Sequence, residues 1–123
     1  MRVPLSKDRL DSIFSIHSSI RYVTILNKEG VLLDSVKRAG VDSLEPPEAT
    51  EMIVRRWVVA RGMTSGTDEF FGSVKTIIIK REKLVELFFP LPDQNLIITA
   101  NPGFPLDKVP KLETVLSKLQ AEA

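Results

Sequence analysis

The chain has 123 residues, 43% of them hydrophobic, with 17 Lys plus Arg against 16 Asp plus Glu and no cysteine. That length suits one domain able to bury roughly two-thirds of the surface its unfolded chain exposes, and the missing cysteines exclude disulfides and cysteine-ligated zinc or iron–sulfur sites. A formal charge of +1, with the charges scattered rather than blocked, argues against generic nucleic-acid or anionic-membrane binding.

No apolar run approaches the ~18 residues of a membrane span, so no membrane insertion is expected. Charges interrupt the start Met1-Arg2-Val3-Pro4-Leu5-Ser6-Lys7-Asp8 too early for a secretory signal. The expected location is the cytoplasm.

Leu10, Ile13 and Phe14 fall at helical spacing, so Ser6 to Ser18 reads as a short amphipathic helix with Ser6 as its cap. Ile20 to Leu26 is rich in β-branched and aromatic residues, Asn27-Lys28-Glu29-Gly30 is a turn, and Val31 to Val36 returns as the second strand of a hairpin. After a loop from Lys37 to Leu44, Pro46-Pro47-Glu48 opens a helix, since a proline in the first turn forfeits no bond. Arg61 and Gly62 predict its end. Met63 to Phe70 is expected to be irregular.

Three strands follow, Gly72 to Lys80, Lys83 to Phe89 and Leu96 to Ala100, joined at Arg81-Glu82 and Pro92-Asp93-Gln94-Asn95. Connections this short demand antiparallel neighbours. Val109, Leu112, Val115, Leu116 and Leu119 mark a final helix. The expected fold is a single α+β domain over residues 5–120 in the order helix, strand, strand, helix, three strands, helix. A five-stranded antiparallel sheet forms its middle layer, with the second helix on one face and the first and last helices on the other.

In this order, and in the segments Tyr22 to Leu33, Lys83 to Leu91 and Asn95 to Ala100, the chain resembles the roadblock family, named from a dynein light chain, within the wider profilin-like and longin-like group. The resemblance implies a dimerising platform that associates with small GTPases or with motor and signalling assemblies, usually without catalysis of its own.

On a helical wheel Val59, Met52, Met63, Ala49, Ala60, Ile53 and Trp57 cover one arc, assigned to the sheet, while Val54 and Val58 form a strip beside Arg61 that asks for a second partner. The third strand is strongly β-forming, lacks proline and is expected at a sheet edge, where unpaired backbone invites pairing; Lys75 and Lys80 could equally be gatekeepers. The expected homodimer interface is therefore Val54, Trp57, Val58 and Arg61 with Val74, Thr76 and Ile78. Asp68, Glu69 and Phe70 are the candidate docking loop for a partner.

The single histidine, His17, has no companions suited to a triad or a metal site. Neither GxxxxGK[ST] nor GxGxxG occurs. No catalytic residue, metal ligand or cofactor is therefore assigned. The expected function is a non-enzymatic homodimeric adaptor that binds a small GTPase or a similar signalling partner; the alternative is a small-ligand sensor with Phe88, Phe89 and Trp57 lining a cavity between sheet and helix.

Overall fold

The structure, a computed structural model, describes residues 5–41 and 47–121. The Asp42 to Pro46 part of the expected loop and helix entry lies outside the described residues. A 3-10 turn at Lys7–Arg9 leads into α1 (Asp11–Phe14), followed by β1 (Ile20–Asn27), β2 (Leu32–Lys37), α2 (Pro47–Ser65), α3 (Asp68–Phe71), β3 (Ile77–Lys80), β4 (Val85–Pro90), β5 (Gln94–Ala100), a second 3-10 turn at Leu106–Lys108, and α4 (Val109–Ala121).

The strands form one sheet in the order β2-β1-β5-β4-β3, with every neighbouring pair antiparallel. Period-two alternation sends the two faces of each strand to different partners. One face carries Val23, Ile25, Val85, Leu87, Phe89, Leu96, Ile98 and Ala100, which pack with Leu10 and Ile13 from the N-terminal segment and with Val109, Leu112, Leu116 and Leu119 of α4. The opposite face carries Leu26, Phe88 and Ile97, covered by Trp57 of α2 with Ile53, Val54 and Ala60 alongside. The expected three layers are therefore present, with the helices on their expected sides.

The first helix is shorter than its stripe predicts. Leu10 and Ile13 are fully buried, but Ser6 makes no side-chain cap bond and the segment divides into a 3-10 turn and a single α turn. Tertiary contacts hold it instead: Arg9 donates to the carbonyl of Leu119, one of the carbonyls that the end of α4 leaves without an intrahelical partner. Just upstream, Leu5 N–H donates to Gln94 Oε1 at 2.8 Å and Gln94 Nε2 donates to Leu5 O at 3.1 Å, pinning the chain to the start of β5.

The second helix is longer than predicted. Gly62 does not take the left-handed conformation that would end it; α2 continues to Ser65, where Thr64 Oγ1 donates to Ala60 O and Ser65 Oγ donates to Gly62 O. Ser65 Oγ on Gly62 O and Thr67 Oγ1 on Thr64 O give carbonyls of the last turn a donor without a left-handed glycine. The stretch expected to be irregular thus holds the end of α2 and the single turn α3. Conversely, β3 is only four residues, and Gly72 to Thr76 of the expected strand precede it.

Candidate association surface

Trp57 sets the rotation of α2. Its ring stacks on Phe88 with centroids 4.7 Å apart and planes 7° from parallel, and it is fully buried. With Trp57 directed at the sheet, Val54, Ala60 and Arg61 fall within about 60° of it at 100° per residue, and Met52, Val59 and Met63 fall on the far side. The exposures follow: Met52 60%, Val59 60%, Met63 79%.

The arc assigned to the sheet is therefore split. Ile53, Trp57 and Ala60 face inward as expected, whereas Met52, Val59 and Met63 form an outward apolar stripe at i, i+7 and i+11. The strip expected to be free is partly engaged: Val54 packs on the inner cluster, Arg61 donates to Asn95 Oδ1 and, at 3.3 Å, to Leu91 O, and Val58 lies over Gly30 of the β1–β2 turn while remaining 40% exposed. Trp57 cannot be a contact residue while it is enclosed against Phe88. A wheel shows neighbouring positions but not which azimuth meets the sheet; the one tryptophan, the largest apolar side chain available, was the signal that could have decided it.

The β3 strand is an edge. Ile78 is 40% exposed and pairs with Leu87, on the sheet face that packs against α4. Val74 and Thr76, expected in the same strand, lie before it, and Thr76 Oγ1 donates to Glu113 Oε2 of α4. The other edge is β2, where Leu32 and Leu33 are each half exposed, an edge the sequence reading did not weigh.

Between α2 and β3, Asp68 shares a cleft wall with Arg61, Thr64 and Ser65, while Glu69, Phe70 and Phe71 are exposed. Phe70 is 74% and Phe71 85% exposed. Gly72, at φ 82°, then turns the chain toward β3.

His17 belongs to a turn rather than to this surface. Its Nδ1 accepts the backbone N–H of Ser19 at 3.1 Å, so that nitrogen carries no proton, and the Ser19 hydroxyl 2.8 Å away donates to it. The ring meets Phe104 edge-on with centroids 5.8 Å apart. Among the described residues no group of three or more His, Cys, Asp or Glu is placed to hold a metal ion. Also among them, no helix is long and apolar enough to cross a membrane.

No protein-family model matches the sequence, and no curated protein matches it. Solved structures do. The gliding protein MglB of Thermus thermophilus superposes with a TM-score of 0.69 over 99% of this chain and 97% of its own, at 15% identity. An MglB with a tetrameric arrangement gives 0.71 over 96% and 91%, at 14% identity. A roadblock/LC7 domain from Streptomyces avermitilis gives 0.57 over 82% and 79%, at 11% identity. With its helix-flanked five-stranded sheet and these likenesses, the chain has a roadblock-like fold.

Proposed function

We propose that this chain is a non-catalytic regulatory adaptor, one unit over residues 5–120, that forms a homodimer and binds a small GTPase or a similar signalling partner in the cytoplasm. The observation that carries the reading is the outward stripe Met52, Val59 and Met63 on α2. A helix already packed on its own sheet and apolar on its far side as well has surface for a second partner. The unpaired β3 edge offers backbone donors and acceptors beside it. The likeness to MglB structures supports a regulatory rather than a catalytic role, and His17 is engaged in its own turn.

The small-ligand alternative finds less support. The Trp57–Phe88 stack fills the space between α2 and the sheet at that point, and Phe89 lies on the opposite sheet face, so the three aromatic residues cannot line one cavity.

Molar mass by light scattering across a dilution series tests the dimer. Val59→Glu should convert a dimer to a monomer with an unchanged circular dichroism spectrum, because an isolated charge is costly in an apolar contact. A monomeric wild type at tens of micromolar, or a dimer indifferent to Val59→Glu, overturns it. For the partner, calorimetric titration with small GTPases of the same organism, in GDP and GTP forms, should show binding that distinguishes the two nucleotide states.

A further inference from the structure

We propose that the open β2 edge, with the cavity beside it, seats an extended acidic segment of a partner protein, which adds a strand to the sheet and places a glutamate against Arg38 and Lys7. Neither α2 nor the β3 edge takes part, so the inference goes beyond the homodimer reading and stands or falls apart from it.

The first argument is the backbone. β2 is paired on one side only, and its register with β1 is regular from Asp34 to Lys37. Just beyond the strand, Arg38 N–H donates to Arg21 O at 2.8 Å. Antiparallel ladders alternate the direction of their backbone groups, so Val36 and Asp34 also bond inward, while Ser35 and Lys37 present N–H and C=O outward. No proline blocks this edge. An added strand takes its affinity from such groups and its selectivity from pockets beneath alternate side chains.

The second argument is what lies beside Val36. A cavity of about 370 Å³ opens there between the N-terminal segment and the edge, with Leu10, Phe14 and Val36 in its lining. Val36 pairs with Val23 and packs on the α4 side of the sheet. A residue opposite it on an added strand therefore extends its side chain over this cavity.

The third argument is charge. Lys7, Lys37, Arg38 and Asp11 also line the cavity. Lys37 is paired with Tyr22 and directs its side chain to the other sheet face, which leaves two cations and one carboxylate. None of these is in an ion pair among the described residues. Arg38 is fixed in place: Nε donates to Ile20 O at 2.6 Å, Nη2 donates to Phe14 O at 2.5 Å and His17 O at 2.9 Å, and Cζ lies 5.3 Å over the centre of the Phe14 ring. All three acceptors are neutral carbonyls, so the charge is held without being neutralised, and Nη1 takes no part in these bonds. A glutamate suits both features of the cavity. Its methylene groups cover Leu10 and Phe14, and its carboxylate accepts charge-assisted bonds from a cation that is already ordered.

A random-peptide display library selected on the wild-type chain, followed by fluorescence anisotropy with the synthetic winning peptide, tests the proposal. The selected peptides should share a glutamate flanked by strand-forming residues, and glutamine at that position should weaken binding roughly tenfold or more. Lys7→Glu should weaken binding likewise, and Asp11→Asn should tighten it by removing the carboxylate from the cavity. Ser35→Pro removes an N–H that β1 does not use, so it should abolish binding with an unchanged circular dichroism spectrum. Should Ser35→Pro lose its fold, amide hydrogen exchange at Ser35 and Lys37 of the wild type is the second measurement, and the peptide should slow it. No selected binder, a binder indifferent to Lys7→Glu and to its own glutamate, or unchanged exchange at Ser35 and Lys37 overturns the proposal. So does a wild-type dimer that Ser35→Pro dissociates, because a second copy then closes the edge. Free glutarate binding as tightly as the peptide overturns it too, because the site then serves a small anion.

Discussion

Val58 closes over Gly30. A Cβ built on that glycine would lie 2.3 Å from Val58 Cγ2, and Gly30 itself sits at φ 87°. The turn it completes is ordered locally, with Asn27 Oδ1 accepting the N–H groups of Glu29 and Val31. One residue therefore meets two demands, a left-handed backbone and room for the helix above.

Gly30→Ala should destabilise the domain through both. The backbone contributes roughly 1–2 kcal/mol, and displacing a β-branched side chain with one preferred rotamer adds about 1–3 kcal/mol. Urea denaturation of Gly30→Ala beside Gly30→Ala/Val58→Ala separates the parts. The second substitution should recover the steric share, measured against Val58→Ala alone, and leave the backbone share. The same contact makes Val58→Glu a poor probe of association, since it would disturb the turn as well.

Trp57→Ala should cost about 3–5 kcal/mol, the usual range for removing a large buried aromatic side chain, whereas Val59→Ala on the other side of the same helix should change monomer stability by no more than about 0.5 kcal/mol. Chemical denaturation of both variants, each at a concentration where light scattering shows it to be monomeric, checks the contrast. Equal costs would mean that α2 is rotated differently from the orientation described.

Glu86 is fully buried on the α2 side of the sheet, and its Oε2 accepts from Arg81 Nε at 2.5 Å. Its other oxygen has no hydrogen-bond partner among the described residues. Arg81→Ala should therefore cost about 1–3 kcal/mol by stranding a buried acceptor. In a Glu86→Gln background the same change should cost distinctly less, because no charge is then left unpaired. A double-mutant cycle by urea denaturation gives the coupling, and additive costs would show that the ion pair contributes nothing specific.

Gln94→Ala should leave the backbone N–H and C=O of Leu5 without their amide partner. Faster hydrogen exchange at Leu5 and its neighbours is expected, with the exchange of central β5 amides nearly unchanged if the opening is local. Unchanged exchange at Leu5 would show that the side chain of Leu5, itself buried, holds the segment unaided.

The sequence alone determined the sheet and its helical layers. β-Branched and aromatic content in Ile20 to Leu26, strand-forming residues in Lys83 to Phe89, turn chemistry at Asn27 to Gly30, and the stripe from Val109 to Leu119 are local signals, and connections of a few residues leave antiparallel pairing as the available arrangement. Tertiary structure decided how the helices end and where they face. Gly62 remains helical, and hydroxyls of Ser65 and Thr67 reach the carbonyls of Gly62 and Thr64 in the last turn. Gly72 to Thr76 stays outside β3 although Val74 and Thr76 are good strand formers, and Thr76 instead bonds to Glu113, 37 residues further along the chain. Above all, the wheel of α2 contains two apolar sides, and periodicity treats them alike. Stacking of Trp57 on Phe88 selects one for the core and turns Met52, Val59 and Met63 outward, because the azimuth of a helix is fixed by the shape of the surface it packs against and not by its own repeat.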